Sequence, residues 1–511
     1  MSSALNAVVY VLAISVGAFV GLYSHRPYAA GLTSAVLLAL VLLPTAHRRV
    51  TSKALALFFA ALLASCPAVS GRVPSAVLAM ALEGRIPESP LAIEILSKVG
   101  EGNAVGPTLV VSVLWSLLLT SLFMLAYATF LVFKHLWVNV EKAPLPLMRT
   151  VGTVPGSLLA RNVRVASTAL FSALLTGLSS LALPQLLPAI LALTSGLVST
   201  VSFLFGSVVG VIASRVLGPS FSLGTQIGVA IYTVLALLVT RRRYWRYEVT
   251  LPAPTILTLL SMLFLAPFLF MMLSLSAAVY LVAYMAFSLL SFAVMLRVEG
   301  EFTLVLLAEL LLLAGREAFA LELQSLAASL MGFTGPFTAL LVYPLMLPQV
   351  YLLFLLAALL IDDAREAKSF RGAAPLVLTF LACSAFSSYY SARWRPETAR
   401  ALEPLFSSVP SLANLDIVGL AAGVGAVLVA TVVYLSGETR VPCSPLGVMF
   451  GSALVSLAGD TAFLLIPVFV LTAAVKLIFL KAMEVKAGAL SQFSAALLWG
   501  SLLGLVTAEL L

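Results

Sequence analysis

The chain reads as a succession of long apolar runs separated by short polar loops. The runs are Leu5 to Tyr23, Ala29 to Leu43, Ala54 to Val69, Leu109 to Phe133, Ala166 to Leu183, Ile190 to Val211, Ser222 to Val239, Ile256 to Leu273 and Ala277 to Leu296. They continue with Phe302 to Ala314, Ser325 to Tyr343, Val350 to Ile361, Pro375 to Ser388, Ile417 to Leu435, Leu446 to Leu457, Phe463 to Leu480 and Leu490 to Leu510. A helix needs about 20 apolar residues to cross a bilayer. Several runs are short or interrupted by Gly and Pro, so the pattern predicts an all-α polytopic membrane protein with roughly 14–16 crossings, some broken or re-entrant. The expected division is an N-terminal membrane half, 1–248, and a C-terminal half, 249–511, within one membrane domain. The first run lacks a basic leader and is followed by His25-Arg26-Pro27, which predicts a retained helix and not a cleaved signal.

Composition narrows the class. Hydrophobic residues form 61% of the 511 and charged residues 10%, against about 45–50% and about 25% in soluble domains. That excludes a soluble enzyme, a nucleic-acid-binding protein and a disordered scaffold. Transmembrane β-barrels alternate polar and apolar positions and lack such long runs. The net charge of +8 reflects Lys and Arg in cytoplasmic loops. Cys66, Cys383 and Cys443 form no CxxC, and His25, His47 and His135 lie far apart, so no metal site or cofactor is expected. No Walker A pattern is present.

Loop charge predicts orientation. Arg48, Arg49 and Lys53 form one basic loop, Lys134, Lys142, Arg149, Arg161 and Arg164 a second, and Arg241, Arg242, Arg243 and Arg246 a third. All three belong on the cytoplasmic side. Three full crossings between Arg164 and Arg241 would put the third outside. One segment there is therefore expected to be broken or re-entrant. The candidate begins at Pro184-Gln185-Leu186-Leu187-Pro188 and holds Gly196, Gly206 and Gly210; a kinked helix is the other reading. Pro344 to Pro348 repeats the proline pair in the second half, and Gly332-Phe333-Thr334-Gly335-Pro336 reads as a plain turn or as a second break whose backbone groups could meet a ligand. Paired broken segments in two halves point to a transporter site. The loops Gly71 to Pro107 and Ser391 to Asn414 are read as extracellular.

Ionisable groups inside the membrane cost about 2.5–3.5 kcal/mol on the insertion scale and are functional candidates. Glu309, Arg316, Glu317 and Gln324 fall on one side of a helix otherwise made of Leu and Ala. They are either a proton- or substrate-binding face or the solvated face of an interfacial helix. Asp460, between two apolar runs, reads as a substrate candidate or a loop aspartate. Lys476 lies inside an apolar run, where snorkelling to the interface is the simpler role. Gly206 to Gly210 and Gly500 to Gly504 are GxxxG patterns, read as packing within one chain; a homo-oligomer remains open.

Three stretches add a family resemblance. Trp137-Val138-Asn139-Val140-Glu141-Lys142-Ala143-Pro144-Leu145-Pro146-Leu147 resembles the Trp-x-x-x-Glu-x-x-x-x-Pro-Leu loop of the oligopeptide-transporter superfamily, in particular a prokaryotic branch. Arg297-Val298-Glu299 resembles its mid-chain Arg-x-Glu step. Pro445-Leu446-Gly447, then Lys476, then Gly500 to Gly504, resemble its closing pattern. The Asn-Pro-Gly-Pro motif of eukaryotic members is absent, and the N-terminal spans match poorly. The resemblance implies a non-enzymatic, internally repeated secondary transporter of the plasma membrane, moving a peptide-like or metal-chelate solute with protons. Its partners would be the bilayer, the small solute and protons, with no nucleic acid. The alternatives are a structural or assembly subunit of a membrane complex, or a membrane-embedded lipid-modifying enzyme.

Overall fold

The computed structural model describes residue 64 and residues 105–134, 163–183, 185–244, 252–272, 373–394, 416–436, 443–481, 492–501 and 504. All regular structure among the described residues is helical. In chain order the helices are α1 (Val105–Lys134), α2 (Val163–Ala182), α3 (Leu187–Val198), α4 (Val201–Leu217), α5 (Pro219–Tyr244), α6 (Pro252–Met272), α7 (Ala374–Trp394), α8 (Ile417–Ser436), α9 (Pro445–Ala458) and α10 (Leu465–Lys481). A 3-10 segment, Gly459–Leu464, joins α9 to α10. Helix α11 runs over residues 492–501, and Gly504 is helical as well. Among the described residues, four segments are long and apolar enough to cross a membrane: Ser112–Thr129, Val163–Ala182, Ile417–Tyr434 and Ala462–Phe479.

Local chemistry sets several helix ends. Thr200 takes an extended conformation and accepts a hydrogen bond from Phe203 N–H, starting α4. Gly218 closes α4 with φ +79°, a left-handed conformation that a side chain would strain, and Pro219 opens α5 with its preset φ. The Asp416 carboxylate accepts from Val418 and Gly419 N–H to start α8. Ser444 accepts from Gly447 N–H ahead of Pro445 to start α9.

One group of helices pairs in nested order. Helix α5 packs along α8, α4 along α9, α3 along α10 and α2 along α11, where Gly500 abuts the Ala169 backbone. Gly206 lies against Ser444 and Gly447, and Gly210 against Val448 and Ser452, so α4 and α9 run parallel. Lys476 of α10 reaches Ser199, at the start of α4, while Arg215 near the end of α4 sits 5.4 Å from the Phe463 ring centroid. Helices α4 and α10 therefore run antiparallel. It follows that α9 and α10 are the arms of a helical hairpin with its tip at Gly459–Leu464. Phe450 and Phe469 meet across those arms at 6.1 Å between centroids, and Phe203 of α4 lies 5.2 Å from Phe450.

The apolar stretch Ile190 to Val211 reads as one span in the sequence, but the structure divides it. Gly196 of α3 is level with both Leu204 of α4 and Thr472 of α10. Helix α3 packs on α10 and runs parallel to it, so it runs opposite to α4, and the two form a second hairpin whose tip is Ser199–Thr200. The turn needs no proline, because Thr200 caps α4 and Ser199 N–H bonds to Gly196 O. With two arms in place of one span, the number of passes between Arg164 and Arg241 becomes even. The conflict in loop charge between those two residues disappears.

A second group contains α1, α6 and α7. Both α6 and α7 pack on α1. Phe123 and Phe380 stack at 4.5 Å with planes 2° apart. The Ser121 hydroxyl donates to Ser261 O across the α1–α6 contact, at 2.8 Å. Ser116 and Thr120 bond back to Ser112 O and Ser116 O within α1.

Candidate functional site

The first hairpin tip brings free helix ends and polar side chains together among apolar helices. The last carbonyls of α3 have no partners within the helix. Two side chains from the far end of the chain meet them. Ser494 Oγ donates to Leu197 O at 3.2 Å, and Lys476 Nζ donates to Ser199 O. Ser199 is buried and Lys476 half-buried. The placement is electrostatically sound: a helix C-terminus carries about half a negative charge, and a cation there is stabilised. Across the turn, Thr200 caps α4, whose N-terminus carries the opposite partial charge. A C-terminus and an N-terminus thus stand beside one ammonium group.

The second tip is built differently. Its 3-10 turn contains Asp460 and ends beside Arg215 of α4. The Arg215 guanidinium lies over the Phe463 ring, a cation–π arrangement. Each tip is met by a cation carried on the other hairpin.

Lys476 reaches the first tip. Its ammonium group lies on the Ser199 carbonyl at the first tip. Asp460 belongs to the second tip. Gly196 lies in α3 against Thr472, and Pro188 occupies the first turn of α3. Pro445 opens α9, and Gly447 lies against Phe203 O in the α4–α9 seam. Glu309, Arg316, Glu317, Gln324, Gly332, Gly335, Pro336, Pro184, Trp137, Glu141, Pro144, Pro146, Arg297 and Glu299 lie outside the described residues.

Sequence reasoning missed Ser199, Thr200 and Ser494. The local signal was a Ser-Thr pair inside an apolar run, which is helix-capping chemistry. Ser494 carried no local signal, since its partner is 297 residues away. Among the described residues no cluster of His, Cys, Asp or Glu could hold a metal ion. No protein-family model, no curated protein and no solved structure matches this chain.

Proposed function

We propose that the chain is a multi-pass secondary transporter of the plasma membrane whose solute path passes the hairpin tip at Ser199–Thr200. The observation that carries this reading is the Lys476 ammonium group on the Ser199 carbonyl, at a helix interruption among apolar helices. Interrupted helices of this kind hold substrates and coupling ions in many carriers. A lysine at such a point can answer to a carboxylate or to another anionic group on a solute, exchanging a carbonyl partner for a charged one.

The wider architecture in this reading is an assembly of roughly 14–16 crossings in two related halves. The solute class, a small peptide or metal chelate moved with protons, rests on the resemblance to the oligopeptide-transporter superfamily. Glu309 is the candidate for the proton-carrying group, as a carboxylate in the leucine-rich run Phe302 to Ala314.

Uptake into proteoliposomes tests the reading. A mixed dipeptide pool and iron and nickel chelates would be offered with an imposed proton gradient. Gradient-dependent accumulation is expected, lost on Lys476→Met and on Glu309→Gln. No accumulation of any offered solute by folded protein would overturn the solute class. Accumulation unaffected by Lys476→Met would remove the tip from the path.

A further inference from the structure

We infer that residues 163–244 and 417–504 are two copies of one helix–hairpin–helix unit, turned over about a two-fold axis in the membrane plane. The tips at Ser199–Thr200 and Gly459–Leu464 are then gates on opposite faces. The inversion stands apart from the transporter reading; the gate role rests on it.

The contacts repeat residue by residue. Gly224 and Gly228 of α5 pack on Leu420, Val424 and Val427 of α8. Gly500 and Gly504, at the same spacing, pack on Ala169, Ala173 and Thr176 of α2, again at the same spacing. The position between also corresponds. Ser172 Oγ donates to Leu497 O and lies 2.9 Å from Ser501 Oγ. Its counterpart Gly423 abuts Phe221 O and Thr225 N. Residues 169, 172, 173 and 176 thus map onto 420, 423, 424 and 427 at one constant offset. Residues 221, 224, 225 and 228 map onto 497, 500, 501 and 504 at another. The hairpins correspond too. Gly451 of α9 lies on Ser207 of α4, and Gly196 of α3 lies on Thr472 of α10. Ser207 bonds back to Phe203 O and Thr472 to Val468 O, each four residues earlier. An unrelated packing has no reason to reproduce these spacings. A two-fold operation also explains the nested pairing order, because it exchanges α2·α11 with α8·α5 and α3·α10 with α9·α4.

Direction fixes the axis. Helix α4 runs antiparallel to its counterpart α10. Helix α3 opposes α4, and α9 follows it, so α3 and α9 are antiparallel as well. If the helices cross the bilayer, each copy is inverted relative to the other.

Charge supplies the sidedness. Ser444 N–H bonds to Ser202 O, so the start of α9 shares a side with the first tip. Alternating passes bring the start of α2 and the end of α5 to that side, with Arg164 and Arg241 to Arg243. The loop before α9 holds Arg440 beside Glu438, and the end of α10 leads through Lys481 to Lys486 with Glu484 between them. The far side takes Arg215, Gly218 and Asp416. The basic ends of the first copy thus set the sidedness, and the mixed inner loops of the second, where Lys481 and Lys486 outnumber Glu484, lie on the same side. Positive charge accumulates in cytoplasmic loops, so the Ser199 tip faces the cytoplasm and the Gly459–Leu464 tip faces outward. Each tip is held by one cation from the other copy: Lys476 on Ser199 O, Arg215 over Phe463. Opening one gate breaks one of these contacts and leaves the other in place.

Thiol labelling tests both parts without any transported solute. In a Cys66→Ser, Cys383→Ala background, native Cys443 should react with an impermeant maleimide only in inverted vesicles. In a cysteine-free background, Leu183→Cys should react only in intact cells; Gln185→Cys reports the same side should that protein not accumulate. Labelling of both positions from one side overturns the inversion. For the gates, Lys476→Met should raise cytoplasmic labelling of Ser199→Cys, a buried position at the first tip, by about tenfold or more, as expected for losing one charged hydrogen bond, and leave outward labelling of Ala462→Cys, buried at the second tip, unchanged. Arg215→Gln should do the reverse. Equal rises at both tips, or none at either in monodisperse protein, would overturn the gate assignment. Lys476→Arg, which keeps the cation, should label as the parent does.

Discussion

The two groups of helices hold together by different means. In the nested pairs, backbone meets backbone. Gly206 and Gly210 of α4 face Gly447 and Gly451 of α9 so closely that an added Cβ would run into the opposing main chain. In the group of α1, α6 and α7, side chains hold the helices. There, ring stacks on ring at Phe123 and Phe380, and a hydroxyl reaches a carbonyl from Ser121 to Ser261. Lipid tails are as apolar as leucine, so burial alone gives little drive for helix association in a bilayer; close packing and hydrogen bonds must supply it. A glycine seam maximises backbone approach and fixes crossing geometry, whereas an aromatic contact tolerates adjustment. The hairpins whose tips are proposed to open are mounted on the seam of fixed geometry.

The largest effect is expected where the seam is tightest. Gly451 packs on the Ser207 carbonyl, and a side chain there requires α4 and α9 to separate. Gly451→Leu should destabilise by at least about 3 kcal/mol, read as loss of monodisperse protein and a lowered melting temperature in detergent. Gly425 of α8 faces open space within 4 Å. Gly425→Ala should be neutral or stabilise by up to about 1 kcal/mol through helix propensity. Equal behaviour of the two variants would end the distinction between seam and surface glycines. Next in size is Phe380→Ala. It removes the stacked ring from the second group and should cost about 2–3 kcal/mol, below the soluble-core range because the membrane lacks a large hydrophobic term. It should leave thiol labelling at the hairpin tips unchanged.

Much of the helical content was legible in the sequence, because an apolar run of spanning length is stable chiefly as a helix in the bilayer. Helices α2 and α8 fall almost where the hydropathy places them. The hairpin tip at Ser199–Thr200 was not legible. Proline and glycine are the expected interrupters, which points to Pro184, Pro188 and Gly196. The turn instead uses two hydroxyl residues that hydropathy barely distinguishes from their neighbours. Loop charge gave the better signal, since the positions of Arg164 and Arg241 demand an even number of passes between them. The role of Lys476 could not be read locally either. A lysine near a helix end snorkels unless something holds it, and what holds it is a carbonyl 277 residues away. The GxxxG motifs announced close packing, but not that each glycine pair would be answered by small or backbone-exposing positions in the other half of the chain.

The smallest effect sharpens the comparison most. Ser121 donates to Ser261 O in the three-helix group, and Ser172 donates to Leu497 O in the nested pairs. Both hydroxyls are buried and both bonds cross between helices. If the two groups differ only in how closely their backbones approach, each hydrogen bond should be worth the same small amount. Removing it costs little because a serine in the dissociated helix finds another partner, often a carbonyl one turn back. Interhelical hydrogen bonds in membranes average about 0.6 kcal/mol for this reason. Ser121→Ala and Ser172→Ala are therefore both expected to lower stability by about 0.6 kcal/mol, measured by unfolding in mixed micelles. Ser172 has one further neighbour, the Ser501 hydroxyl at 2.9 Å. A double-mutant cycle with Ser501→Ala separates that contribution. A Ser172 cost several times that of Ser121 that persists with Ser501→Ala would mean the seam strengthens its hydrogen bonds as well as its packing. The contrast between the two groups would then be electrostatic as much as steric.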